Sequence, residues 1–167
     1  GSAARPGFAY APRDCARGGG AVPAVTIVTP FFNTGEEFLE TARCVLGQSL
    51  QQWEWLIVND GSDDPAALEL LARFRDRDPR IRVIDHDRNR GLPAARNTGF
   101  REARADYVLL LDSDDLLEPT AAEKWFWFLE SHPDLAFVKG YTVGFGAEEY
   151  LWTHGFHEGN AFLRENL

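Results

Sequence analysis

From Val25 onward, short apolar runs alternate with longer stretches in which apolar and polar positions recur at helical spacing. The runs Val25–Thr29, Trp53–Asn59, Ile81–Asp85 and Tyr107–Leu111 are rich in β-branched and aromatic residues and are bounded by turn formers, so they predict strands. Between them Glu36–Gln48, Ala66–Arg77 and Pro93–Ala103 predict helices, and a fourth helix over Thr120–Ser131 leads into a fifth apolar run, Leu135–Val143. In the first helix Phe38, Leu39, Ala42, Val45 and Leu46 share one stripe, while Glu36, Glu40 and Arg43 lie off it, as a period of 3.6 demands. The alternation predicts right-handed βαβ units: an α/β domain with a mostly parallel sheet and helices on both faces. In the fourth helix Ala122, Trp125, Phe126 and Leu129 form the stripe and Trp127 falls roughly opposite. That predicts an exposed ring suited to a homo-oligomer contact, a membrane face or a missing C-terminal segment.

Residues 1–24 break the pattern. They are rich in Gly, Ala, Arg and Pro, include Gly18-Gly19-Gly20, and show no apolar period, so they predict a flexible N-terminal arm ahead of a single domain over 25–167. A chain of 167 residues suffices for one well-buried domain. With Lys+Arg 17 against Asp+Glu 26, the net charge of −9 argues against a nucleic-acid backbone surface, which requires a basic face. An anionic ligand can still bind where a cation or a local Arg cluster overrules that sign. Cys15 and Cys44 belong to no Cys-x-x-Cys pair, which supports neither a zinc site nor a disulfide framework. A reducing, cytoplasmic setting is the expectation, in solution or at the cytoplasmic face of a membrane, since no run approaches the roughly 18 apolar residues of a span.

In open parallel sheets, ligands bind beyond the carboxyl ends of the strands. Four polar clusters occupy those ends here: Pro30-Phe31-Phe32-Asn33, Asn59 to Asp64, Asp85 to Gly91, and Asp112-Ser113-Asp114-Asp115. Strand geometry puts Asp112 and Asp114 on one face about 7 Å apart. A divalent cation carrying a polyphosphate relieves the repulsion between such carboxylates; the alternative is a solvated turn whose aspartates cap the next helix. There is no Gly-x-x-x-x-Gly-Lys-Ser/Thr loop and no complete dinucleotide fingerprint, so phosphates would have to be held by metal and side chains.

With these residues in view, the chain resembles the inverting, nucleotide-sugar-dependent glycosyltransferases of family 2, which have the Rossmann-like GT-A fold. The resemblance lies in Val25-Thr-Ile-Val-Thr-Pro-Phe-Phe-Asn33, in Gln48 through Asp63 with its Val-Asn-Asp-Gly-Ser-Asp end, in Gly91-Leu-Pro-Ala-Ala-Arg-Asn-Thr-Gly99 and in Leu111-Asp-Ser-Asp-Asp115. It implies that Pro30 and Phe32 stand where a nucleobase is held, with Phe32 either stacking on the base or packing in the core. Asp60 matches the acidic residue that reads the base, as a carboxylate accepting the uracil imide N–H would; a turn or cap role is its alternative. Asp112-Ser113-Asp114 matches the Asp-x-Asp motif, which implies Asp114 as ligand to Mg²⁺ or Mn²⁺ and Asp112 as contact to the ribose, with Asp112 also near the metal and Asp115 able to exchange roles. Arg90 and Arg96 either offset pyrophosphate charge, pair with the aspartates, or form surface salt bridges.

The family's general base lies downstream, in the acceptor-binding half, and the segment ending at Leu167 does not match it; Glu148, Glu149 and Glu158 are carboxylates that nothing singles out. The expectation is therefore a donor-binding portion, truncated before the acceptor-binding part, that binds a UDP-sugar and acts with inversion on an unknown saccharide, lipid or protein acceptor in the complete protein. Alternatives are a non-catalytic nucleotide-binding or assembly module and a sugar-phosphate nucleotidyltransferase. The absence of a Gly-rich, Lys- or Arg-bearing loop after the first strand weighs against the last.

Overall fold

The computed structural model describes residues 22–145 and 149–152; the arm expected over 1–24 lies, through residue 21, outside them, as do Glu148 and Glu158. Strands β1 (Val25–Phe31), β2 (Trp53–Asn59), β3 (Ile81–Asp85) and β4 (Tyr107–Leu110) alternate with helices α1 (Phe38–Leu46), α2 (Pro65–Ala72) and α3 (Leu92–Glu102). Helix α4 (Ala121–Ser131) and two short strands, β5 (Thr142–Gly144) and β6 (Tyr150–Trp152), follow. The four long strands form one parallel sheet in the order β3-β2-β1-β4. The chain divides into two compact units, one ending at Phe126 and the other beginning at Trp127.

In the first unit, β1 and β2 are buried along their whole length, which is why both read as near-continuous apolar runs rather than as alternating ones. Side chains still alternate between the two faces. Val25, Ile27, Phe31, Trp53, Trp55 and Ile57 meet α1, α2 and the first turns of α4 in the larger core. Its centre is aromatic: Phe38 stands edge-on to Phe31 at 5.0 Å and to Phe74 at 5.1 Å. The opposite face is smaller, with Val28, Leu56 and Val58 under Ala95 of α3. Helices thus cover both faces, as the sequence pattern predicts.

Element ends follow from particular side chains. Asp64 caps α2 by accepting from the Ala66 N–H at 3.0 Å, and Pro65 occupies the first turn, where its missing N–H costs nothing. The helix predicted to Arg77 stops at Ala72 because the chain tightens into i→i−3 turns and Asp76 adopts a φ of 59°. Gln48, predicted as the last helical residue of α1, is instead a buried link: its amide nitrogen donates to the Glu118 carbonyl at 2.9 Å and its amide oxygen accepts the Ala122 N–H, an orphan donor at the start of α4.

In the second unit, the run Leu135–Val143 is not a strand of its full length. Only Thr142–Gly144 is extended, and it pairs antiparallel with β6 rather than joining the parallel sheet. Lys139-Gly140 interrupts the run, and Phe137, Tyr141 and Val143 are exposed, so the segment supplies no core face to hold a longer strand. On α4, Trp127 and Phe128 are 38% and 42% exposed. Among the described residues no helix is long and apolar enough to cross a membrane.

Candidate functional site

All four strands of the sheet run the same way, so their carboxyl ends and the loops that follow gather at one edge. There a cleft of about 300 Å³ is lined by Pro30, Phe31 and Phe32 after β1, Asp60 after β2, Asn89, Gly91, Leu92 and Ala95 around the start of α3, and Asp112, Ser113 and Asp114 after β4. Six of the residues singled out in the sequence therefore share one cavity: Pro30, Phe32, Asp60, Asp112, Ser113 and Asp114. Arg90 and Arg96 do not line it. Asn89, which lines it, belongs to a polar cluster visible in the sequence but carries no motif that distinguishes it from its neighbours.

The loops are tied to each other before any ligand is considered. Asn33, at a φ of 50°, accepts the N–H groups of Asp63 and Asp64 at 3.0 Å and donates to the Asp63 carboxylate at 2.7 Å, while its own N–H donates to Ser62 Oγ. This staples the β1 loop to the β2 loop. A Cβ at Gly61 would lie 2.3 Å from the Arg88 carbonyl carbon, and the residue has a φ of 72°, so only glycine lets the β2 and β3 loops approach this closely. The approach allows Asp60, 3% exposed, to accept the Arg90 N–H at 3.0 Å through Oδ1 and the Gly91 N–H at 2.7 Å through Oδ2. Asp60 thus does structural work in the loop while one edge of its carboxylate borders the cleft.

Phe32 is 45% exposed, so it is not a core ring; Phe31 beside it is fully buried. The aspartates after β4 differ from one another. Arg96 clamps Asp112 through one nitrogen, Nη2, at 2.8 and 2.9 Å to the two carboxylate oxygens. Arg90 turns its side chain to Asp87, holding that carboxyl below the usual range through the hydrogen bond, and reaches Asp60 only through its backbone N–H. Ser113 is anchored from below: its Oγ lies 2.7 Å from Thr34 Oγ1 and its carbonyl accepts from Thr41 Oγ1 at 3.0 Å. Asp115 has its carboxyl pushed up by desolvation first, then by the negative charges of Asp112 and Asp114. Asp114 is exposed at the cleft with no hydrogen bond or ion pair to any described residue.

Among the described residues no three His, Cys, Asp or Glu side chains cluster as a preformed metal site. The donor set fits a different kind of site. Mg²⁺ and Mn²⁺ are held by one or two carboxylates together with substrate phosphates, and one unpaired carboxylate facing a cleft is what such a ternary site requires of the protein. With Asp112 engaged by Arg96, Asp114 is the carboxylate that fits.

Comparison with known proteins places this architecture. The chain is 33% identical over 121 residues to a putative teichuronic acid biosynthesis glycosyltransferase of Bacillus subtilis, covering 72% of this chain and 48% of the relative. An uncharacterized glycosyltransferase of Methanocaldococcus jannaschii is 28% identical over 86% of this chain and 46% of its own length. The chain thus spans less than half the length of these curated relatives. Among solved structures, TarS of S. aureus in complex with UDP-GlcNAc superposes with a TM-score of 0.58 at 23% identity, over 65% of this chain and 32% of that one. A mannosyltransferase from Pyrobaculum calidifontis in complex with GDP-Man and Mn²⁺ gives 0.52 at 26% identity, over 63% of this chain and 32% of its own. These likenesses identify the fold as GT-A. The model of glycosyl transferase family 2 matches residues 26–166, a span that contains every strand end lining the cleft, and the chain belongs to that family.

Proposed function

We propose that residues 25–167 form the donor-binding part of a metal-dependent glycosyltransferase, with a UDP-sugar as donor. The observation that carries this reading is the meeting of Phe32, Asp60 and Asp114 in one cleft, each from a different strand end. An exposed ring, a buried acceptor and an unpaired carboxylate match the three parts of such a ligand: a base to stack, a ring N–H to read and a diphosphate to hold through a cation. Pro30 stiffens the wall beside Phe32, and Asp112, fixed by Arg96, is the proposed contact to the ribose hydroxyls.

A cation bound through Asp114 would stabilise the nucleoside diphosphate as it leaves. The protein's own part is to fix the base with Phe32 and Asp60 and to keep the ribose and diphosphate at the sheet edge. Transfer with inversion further needs a base on the far side of the sugar. None of the described carboxylates is assigned that role, and the acceptor, a saccharide, lipid or protein, belongs to the complete protein.

Calorimetric titration of the chain with UDP in Mn²⁺ and in EDTA tests the reading. Binding is expected only with the cation, because three clustered aspartates and a net charge of −9 repel a bare diphosphate. Asp114→Ala should remove the cation-dependent gain. Equal affinity in both buffers would overturn the metal role.

A further inference from the structure

A row of polar side chains runs from Asp60, behind the wall of the cleft, through buried His86 and Thr98 to exposed Arg101. Asp60 Oδ1 lies 2.6 Å from His86 Nδ1, His86 Nε2 lies 2.9 Å from Thr98 Oγ1, and Arg101 Nη2 donates to the same Thr98 hydroxyl oxygen at 2.9 Å. Asp60, His86 and Thr98 are 3%, 9% and 9% exposed, so water does not complete their bonding. His86 does not line the cleft.

The direction of each bond follows from what each group can do. An ionised carboxylate only accepts, so the bond to Asp60 puts a ring proton on His86 Nδ1. In the neutral ring Nε2 is then an acceptor, and Thr98, whose Oγ1 accepts from Arg101, donates its hydroxyl proton to it. A carboxylate offers about four acceptor positions. On Oδ1, one is taken by His86 and one by the Arg90 N–H; on Oδ2, one is taken by the Gly91 N–H. One acceptor position on Oδ2 remains, beside the cleft.

We propose that His86 is a specificity-determining positioning residue, which acts through Asp60: its Nδ1–H closes Oδ1 and holds the carboxylate so that its one open acceptor selects a base presenting a ring N–H, as uracil does, over cytosine, which presents a lone pair there. The inference rests on the nucleotide reading of the cleft. Such selection needs no contact between His86 and ligand. It requires that Asp60 be prevented from rotating, which a buried bond from the imidazole achieves.

Two substitutions separate positioning from mere packing. His86→Asn puts an amide nitrogen where Nδ1 stands and keeps the donor to Asp60, whereas His86→Gln puts one where Nε2 stands and loses it. Titrations of wild type and both variants with UDP and with CDP, in Mn²⁺, are read together with melting temperatures. Wild type and His86→Asn are expected to prefer UDP by about tenfold or more, and His86→Gln to lose about tenfold in UDP affinity and most of the preference, the effect of one hydrogen bond to a charged group. Wild-type UDP affinity and preference in His86→Gln would overturn the proposal, as would losses in both variants that merely track melting temperature. A wild-type chain that binds neither nucleotide would overturn the donor reading itself, and this inference with it. Wild-type binding of UDP with no preference over CDP would overturn this inference alone.

Discussion

Gly99→Ala is the smallest change that should unseat the helix behind the cleft. A Cβ at position 99 would lie 2.1 Å from Val28 Cγ1, 2.8 Å from Cγ2 and 3.0 Å from Cβ. Carbon atoms pack at roughly 3.5–4.0 Å, so the gap is short by about 1.5 Å. Val28 cannot yield by rotating, since it is fully buried in β1 and both methyls and the Cβ face the new atom. Helix α3 must therefore lift from the sheet. Overpacking of this kind costs about 1–3 kcal/mol, and the better helix propensity of Ala returns about 1 kcal/mol. With a contact this close the cost lies in the upper part of that range, about 2–3 kcal/mol, so a net loss of roughly 1–2 kcal/mol follows, which at an m-value of about 2 kcal/mol per molar urea lowers the unfolding midpoint by about 0.5–1 M. The same displacement moves Arg96, which clamps Asp112, and the Gly91 N–H, which holds Asp60, so UDP affinity should fall as well. Adding Val28→Ala removes both offending methyls, and the double variant should show a favourable coupling of about 1 kcal/mol or more relative to the summed single effects. A midpoint equal to or above wild type for Gly99→Ala, or strict additivity in the cycle, would refute the packing argument.

Two further outcomes are expected. Phe32→Ala should weaken UDP binding by about 1–3 kcal/mol, the worth of a base–aromatic stack, with little change in melting temperature because the ring is 45% exposed, and Phe32→Tyr should be nearly neutral; a lower melting temperature with unchanged affinity would return Phe32 to the core. At the far end of the sheet, Arg80 lies over the Trp53 ring at 3.8 Å and donates to Asp78 at 2.8 and 3.0 Å, and its hydrogen bond holds the Asp78 carboxyl below the usual range. Because that pKa is depressed in the folded state, the pair stabilises the chain above the ordinary Asp pKa and the gain is lost as pH falls through the lowered value. Asp78→Asn should then cost about 1 kcal/mol near neutrality, a partly exposed ion pair being worth no more, and nothing in strong acid; urea midpoints across pH would show a gap that fails to close if the reasoning is wrong.

Two strands flanked by turn formers were legible to the residue, while helix ends closed by tertiary contacts were not, even where the helical period was plain. Trp53–Asn59 and Ile81–Asp85 read as strands with the bounds the structure gives, because turn formers flank each. Helix α2 ends five residues early for a reason that lies in Asp76's backbone, and Gln48 leaves helix α1 to bridge to Glu118 and Ala122, a partnership between segments some seventy positions apart. The cleft shows the same division. A carboxyl strand end says that Phe32, Asp60 and Asp112 to Asp114 share an edge. It does not say that Arg90 faces Asp87 while Arg96 faces Asp112, since Arg90 lies in the loop before α3 and Arg96 on the helix itself, and the sequence sets neither side-chain rotamer. His86 was invisible for a sharper reason: a lone histidine after a strand has no motif, and its meaning comes entirely from Asp60 and Thr98 on other elements.

The strand order bears on how the chain reaches this state. β1 lies inside the sheet, between β2 and β4, and its β4 partner is the last of the four to be made. The hydrogen bond between Thr34 and Ser113 spans 79 positions. Closing so long a loop costs entropy before any contact repays it, which places the β1–β4 pairing among the slow steps of folding. On the ribosome, β1, β2 and β3 can pair while β4 is still unmade, leaving one edge of β1 open with its unpaired amides and carbonyls, the surface on which strands of other chains dock. The cleft is therefore completed only when that vulnerable edge is closed, so the proposed nucleotide binding would report the end of folding as well as the integrity of the site.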